Sequence, residues 1–239
     1  MKRAFTLLSI ASLMLWSATT AHAETPRTSM FELHIGSYEP QIDDQFVGAT
    51  PYADIFEQEA PLLFGFHADR QVWSGFGSAA VGMGIRYGSV TGTARLEDGA
   101  QSEDATELHL LPVTLSAVYR FDVAAQRWNV PLVPYVKAGL NYTVWWILNG
   151  RGEIANSWGT DGEGHVGSGG TMGWFGAGGL QLLLDFFDSE MAAEFDTESG
   201  VNNSYLFVEY TMSEVNDFGS DESLELSSEH LSFGLMFEF

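Results

Sequence analysis

From residue 30 onward the chain alternates apolar and polar side chains in eight separate runs, the period expected where successive side chains point to opposite faces of a strand. In FELHIGSY, Phe31, Leu33 and Ile35 share one face, with Glu32, His34, Gly36 and Tyr38 on the other. PLLFGFHAD sets Leu62, Phe64, Phe66 and Ala68 against Leu63, Gly65, His67 and Asp69. AAVGMGIRYG sets Val81, Met83, Ile85 and Tyr87 against Ala80, Gly82, Gly84, Arg86 and Gly88, and TLSAVYRF sets Leu115, Ala117, Tyr119 and Phe121 against Thr114, Ser116, Val118 and Arg120. The fifth run alternates Val136, Ala138, Leu140, Tyr142, Val144 and Trp146 with Lys137, Gly139, Asn141 and Thr143. The sixth carries Trp174, Leu180, Leu182, Leu184 and Phe186 opposite Ala177, Gly179, Gln181 and Asp185. Leu206, Val208, Tyr210 and Met212 oppose Phe207, Glu209, Thr211 and Ser213 in the seventh, and the eighth interleaves Leu231, Phe233, Leu235, Phe237 and Phe239 with His230, Ser232, Gly234, Met236 and Glu238.

Eight such segments predict an all-β fold: an eight-stranded antiparallel up-and-down transmembrane β-barrel with apolar residues outward and polar residues inward. Its connections alternate in length. Stretches 39–60, 92–106, 148–170 and 214–227 are long, Gly-rich and acidic, whereas 69–75 and 122–133 are shorter, so the long ones are expected outside the cell and the short ones in the periplasm. The link 187–202 breaks the rule, and its SEMAAEFDTES predicts a short periplasmic helix between strands 6 and 7. Pro112 lacks a ladder donor in a sheet without edges, which predicts a bulge there or a position above the membrane. Trp145, Trp146 and Trp174 are expected at the outer interface, and Phe121, Phe186, Phe237 and Phe239 at the inner one.

Composition narrows the picture. The 239 residues include no cysteine, which removes disulfides, thiolate nucleophiles and Cys-built metal sites. A net charge of −22, from 10 basic and 32 acidic side chains, argues against nucleic acid as a partner. Met1-Lys2-Arg3, the apolar AFTLLSIASLMLW and the closing Ala21-His22-Ala23 predict a signal peptide over 1–23, leaving a barrel domain over 24–239. Its removal leaves eight basic side chains against 32 acidic ones, a net charge of −24.

An eight-stranded barrel is only wide enough for its own side chains to fill it. The inward charged positions Glu32, His34, Arg86, Arg120, Lys137, Asp185, Glu209 and Glu238 are therefore expected to form a lumen network. Within it Arg120 and Lys137 pair with Glu32, Asp185 and Glu238 near the periplasmic end, since unpaired buried charges are costly. Inward glycines at 82, 84, 139 and 179 supply room for long side chains. The loop acids, such as Asp43, Asp44, Glu57, Glu214, Asp217 and Glu225, follow no fixed calcium-loop spacing, so no metal site or cofactor is expected. They remain able to meet lipopolysaccharide phosphates through divalent cations.

The last run, with an apolar residue at every second position from Leu231 through Phe233, Leu235 and Phe237 to Phe239, resembles the terminal strand that the outer-membrane assembly machinery recognises in bacterial barrels. With the leader and the eight runs, the chain resembles the small outer-membrane barrels of the OmpA-transmembrane, OmpX and OmpW type. More narrowly, ELHIGSYEPQID at 32–43, LPVTLSAVYRFD at 111–122, VPYVKAGLNY at 133–142 and LLLDFFDSEMAAEFDTESGVNNSYLFVEY at 182–210 are similar to a family of predicted outer-membrane barrels from myxobacteria. The resemblance implies a Gram-negative outer-membrane location, with outer-membrane lipid, lipopolysaccharide and the assembly machinery as partners. It brings no catalytic residue. The expected function is that of a monomeric structural or surface-interaction protein and not an enzyme, with a narrow channel for small or hydrophobic solutes as the alternative. His230 and Ser232 share an inward face but form a poor nucleophile–base pair without a third group such as His34, which leaves a lipid-modifying role the weakest reading.

Overall fold

The computed structural model describes residues 28–95, 101–128, 130–158, 164–187, 189–220 and 223–239. The predicted leader over 1–23 lies outside them.

Eight strands close into one antiparallel barrel: β1 (Ser29–Ser37), β2 (Leu62–Gly75), β3 (Gly77–Arg95), β4 (Gln101–Arg120), β5 (Leu132–Leu148), β8 (Ser168–Leu183), β9 (Asn203–Val215) and β10 (Ser228–Glu238). A small ribbon of β6 (Asn156–Trp158) and β7 (Gly164–Val166) decorates the β5–β8 loop. Around the barrel the order is β1-β10-β9-β8-β5-β4-β3-β2, so each strand pairs with its sequence neighbours in the barrel and β10 closes on β1. The closing seam runs from Met30↔Glu238 to Gly36↔Ser232 and is extended by the Phe239 N–H donating to the Ser29 carbonyl at 2.8 Å.

The period-two rows sort by face. Phe64, Phe66, Met83, Leu115, Val136, Leu180, Leu206, Val208, Leu231 and Phe233 lie exposed on the outer wall. Their neighbours Glu32, His67, Arg120, Lys137, Glu209 and Glu238 are buried inside. A wall of exposed Phe, Leu, Met and Val around a charged interior is the distribution that lipid surroundings reward, and the strands span a membrane.

Two expected connections are strand instead. Residues 69–75 continue β2, which shifts register between Gln71 and Trp73 and turns at Phe76, where Gly77 adopts φ +97°. Of the stretch 92–106, residues 92–95 and 101–106 are strand, paired through Gly92↔Thr106 and Thr93↔Ala105, and 96–100 lie outside the described residues. Above the lipid both faces of a strand can be polar, so the alternation that marks the membrane-spanning part vanishes while the hydrogen bonds continue. Pro112 makes no bulge: Ile85↔Val113 and Gly88↔Leu110 keep one register on either side of it. Instead the β3–β4 ladder is open opposite Arg86 and Tyr87, and the missing donor falls in that gap while Pro112 still pairs Thr143 on β5.

Among the described residues a 3-10 turn at Ile42–Gln45 and three α-helices lie in the connections: α1 (Pro51–Phe56), α2 (Val123–Trp128) and α3 (Ser189–Ser199). The last occupies the SEMAAEFDTES segment between the sixth and seventh barrel strands, and its Phe195 ring meets Phe237 edge-on at 6.5 Å between centroids. Phe121, Phe186 and Phe239 are exposed toward the same end of the barrel, joined there by Trp73, Phe76, Trp128 and Phe187. At the opposite end Trp146 and Trp174 face outward, and Trp146 stacks on His109 at 4.9 Å, which in turn stacks on Tyr87. Trp145 is turned the other way, because it lies two residues beyond Thr143 on the lumen face, and packs into the upper core.

Candidate functional site

The lumen is filled in layers, and the inward parity of each strand decides which side chains meet. In the layer nearest Ser29 and Phe239, Arg120 on β4 donates from Nη1 to Glu238 Oε1 at 2.8 Å and from Nε to Gln181 Oε1 at 2.9 Å. Glu238 also accepts from Asn203 Nδ2 at 2.7 Å and from the Tyr205 hydroxyl at 3.3 Å, while the guanidinium lies 5.1 Å from the centre of the Tyr205 ring. Met30, Val118, Val133 and Met236 pack around this pair as an apolar collar.

The next layer centres on Lys137 of β5. Its ammonium donates to Glu32 Oε2 at 2.6 Å and lies 3.1 Å from Glu209 Oε2, so one cation balances two carboxylates. Tyr135 donates to Glu209 at 3.0 Å, and His34 Nε2 lies 2.7 Å from the same Glu32 oxygen. On the opposing wall His67 pairs with Asp69 at 3.0 Å and with Ser116 at 3.2 Å. Gly82 and Gly84 make this layer possible: a Cβ at Gly82 would occupy the place of the Asp69 carboxylate, and one at Gly84 would come within 2.6 Å of His67 Nδ1. All of these carboxylates and cations are buried, so each depends on its partner.

Arg86 forms the third level, with Nη1 3.1 Å from His230 Nε2, while His230 Nδ1 lies 3.3 Å from Ser228 Oγ. A cavity of about 20 Å³, bordered by His34, His67, Arg86, Lys137, Glu209 and Thr211, separates the second and third levels. That space holds about one water molecule.

Asp185 stands at the end of its strand. It lies beyond the end of β8, where its Oδ1 accepts the Ser204 backbone N–H at 3.2 Å. Parity places it inward, but the strand stops at Leu183 and the carboxylate serves the turn. Glu209 stands where the sequence pattern puts Asp185, as the second acceptor for Lys137. Ser232 is buried with no hydrogen-bond partner among the described residues, and His230 is bonded to Arg86 and Ser228, so His230 and Ser232 do not form the pair that their shared face suggested. Among the described residues no three His, Asp or Glu side chains converge to hold a metal ion.

Above Arg86 the lumen ends in an apolar cap that sequence periodicity did not reveal. The β1–β2 loop folds over the mouth, burying Tyr38, Ile42, Tyr52 and Phe56 against Leu63, Val90, Leu108, Leu110, Val215 and Leu226. Its construction is local. Thr50 precedes Pro51, whose absent N–H costs nothing at a helix start, and the Asp43 carboxylate takes the N–H groups of Tyr52 and Ala53 at 2.7 and 3.0 Å. The Tyr38 hydroxyl donates to the Leu226 carbonyl, and Gln41 N–H reaches Ser227 O at 2.9 Å, binding this loop to the β9–β10 loop. The apolar spacing Tyr52, Ile55, Phe56 after Thr50-Pro51 is a helical signature that was there to be read.

Burial, and then the charges of Glu39, Asp43 and Glu59, push the Tyr52 phenol above its ordinary range.

No protein-family profile and no curated relative matches the chain. Among solved structures it is similar to the outer membrane protein OprG from Pseudomonas aeruginosa, at 12% identity and TM-score 0.46, covering 89% of this chain and 96% of that one. The N-terminal β-barrel domain of OprF from the same organism is similar at 15% identity and TM-score 0.41, covering 89% and 98%. Neisserial surface protein A is similar at 13% identity and TM-score 0.42, covering 89% and 96%.

Proposed function

We propose that this chain is a bacterial outer-membrane barrel whose lumen is closed and whose work is done by its extracellular loops, as a structural or surface-interaction protein. The observation that carries the closed lumen is Lys137 bound between Glu32 and Glu209 beneath the apolar cap of the β1–β2 loop. Water entering from either side meets an ion-paired layer or a packed apolar one. The apolar row Leu231, Phe233, Leu235, Phe237 and Phe239 along β10 supports recognition by the outer-membrane assembly machinery. Outer-membrane lipid and lipopolysaccharide are the surroundings that the exposed wall and the aromatic ends fit. The narrower kinship with myxobacterial barrels, resting on the segments within 32–43, 111–122, 133–142 and 182–210, belongs to the same reading. The unpartnered Ser232 hydroxyl weighs against a lipid-modifying enzyme.

Purified protein reconstituted in planar bilayers tests the closed lumen. Electrical silence is the expected result; steady unitary current steps would make the narrow-channel alternative the better reading.

A further inference from the structure

We infer that the β1–β2 and β9–β10 loops form a docking surface for a basic, partly apolar polypeptide segment. This deepens the surface-interaction reading above and rests on it.

Between these loops and the outer wall lies a recess of about 350 Å³, a size suited to a side chain or small ligand rather than a bare ion. Asp44, Glu214, Glu225 and Glu229 bring four carboxylates to it, and Trp174 and Met212 give it an apolar side. Glu229 is oriented by the Tyr210 hydroxyl at 2.6 Å, and Glu225 by Asn216 at 3.3 Å and by the Ser227 N–H at 3.1 Å. None of the four is ion-paired among the described residues, in contrast to the carboxylates of the lumen layers. An indole beside carboxylates accepts a lysine ammonium or an arginine guanidinium, through the ring face and through charge together.

The rim adds a second, independent feature. Phe46 is 45% exposed, Val47 is fully exposed and Phe218 is 64% exposed, three apolar side chains held in water at the tips of the two loops. Asp217 and Phe218 adopt φ of 50° and 58°, a left-handed backbone that non-glycine residues take up at a cost. Gln45, next to Phe46, donates to Ser223 O at 2.7 Å and accepts from the Glu225 N–H at 3.3 Å, so the two tips are fixed relative to each other. Exposed aromatic tips beside an unneutralised acidic recess call for a partner that supplies cations and apolar groups in one chain. A divalent ion satisfies only the carboxylates, and a neutral apolar ligand only the tips.

The test uses the full mature chain in lipid nanodiscs and three synthetic peptides of equal length: alternating lysine–leucine, lysine–serine and glutamate–leucine. The lysine–leucine peptide is expected to bind saturably. Its affinity falls about tenfold in Glu214→Gln/Glu225→Gln/Glu229→Gln and by a similar factor in Phe46→Ser/Phe218→Ser, losses that correspond to a single good contact each. The two variants alter different groups, and unchanged heat-modified migration on electrophoresis certifies each fold. Equal binding of lysine–serine and lysine–leucine, or binding indifferent to both variants, would reduce the effect to general charge attraction and overturn the proposal. So would calcium alone saturating the recess and abolishing peptide binding. Bilayer conductance of the same preparations reports separately on the closed lumen, so the two readings fail independently.

Discussion

Lys137 on β5 and Glu32 on β1 stand four strands apart whichever way the barrel is counted, and their side chains meet at 2.6 Å across the full diameter. Arg120 on β4 and Glu238 on β10 stand in the same relation at 2.8 Å. Two salt bridges therefore cross the lumen one above the other, each tying opposite walls. In water such pairs contribute little, but here both partners are buried, and loss of Lys137 or Arg120 takes the cation away from a buried carboxylate.

Lys137→Met removes the one cation that Glu32 and Glu209 share, leaving two buried carboxylates without it. The expected loss is about 3–5 kcal/mol in urea-driven unfolding from lipid. Replacing all three, as Glu32→Gln/Lys137→Met/Glu209→Gln, is expected to recover most of that loss, because the cost lies in the uncompensated charge rather than in the absence of a bridge. A triple variant less stable than the single one would contradict this account.

Val208 is exposed on the outer wall near the middle of β9. On the surface of a soluble barrel Val208→Arg would change stability by less than about 0.5 kcal/mol. Facing lipid near the midplane it is expected to cost about 2–4 kcal/mol. Folding titrations of the two proteins into the same vesicles separate these values.

The cap depends on close approach at one glycine. A Cβ at Gly92 would run into the Ile55 carbonyl and lie 2.8 Å from the Phe56 ring, so α1 can sit on β3 only while residue 92 has no side chain. Gly92→Val is expected to lift α1 and open residues 46–60 to limited proteolysis while the barrel keeps its heat-modified migration. Unchanged cleavage would mean that the loop is held from elsewhere.

Tyr52 links the same cap to pH. Its phenol is held above the ordinary range, first by burial and then by Glu39, Asp43 and Glu59, so the folded loop binds the proton more tightly than the unfolded chain does. Its contribution is complete below about pH 10, the ordinary phenol value, and is lost as pH rises through the elevated one. Protection of the amides of residues 50–59, relative to their intrinsic hydroxide-catalysed exchange, is expected to fall over that alkaline range in the native protein and to hold steady in Tyr52→Phe. Identical profiles would place the alkaline sensitivity at another group.

What could be read from the chain follows from what each element is packed against. Strand faces were legible wherever one side meets lipid, because Leu206, Val208 and Tyr210 cannot exchange places with Phe207, Glu209 and Thr211 without burying charge in hydrocarbon. Above the lipid that constraint disappears, and the upper parts of β3 and β4 looked like loop. Parity alone placed Asp185 and Glu209 on the lumen face as equals, and only the end of β8 at Leu183 distinguishes them. Pro112 looked like a defect because a missing donor is visible in sequence, whereas the compensating opening opposite Arg86 and Tyr87 lies on another strand. The cap stayed hidden because Tyr38 and Phe56 of the β1–β2 loop meet Leu110 of β4 and Leu226 of the β9–β10 loop, three separate segments whose meeting leaves no periodic trace.

The inside-out arrangement is tested most directly by single cysteines along β9, introduced one at a time into a chain that has none. Positions 206, 208 and 210 are expected to react in vesicles with a lipid-soluble maleimide and not with a charged water-soluble one. Positions 205, 207 and 211 are expected to resist both. Modification of the second set by the water-soluble reagent would mean an open lumen, and modification of the first set by it would mean that the wall does not face lipid.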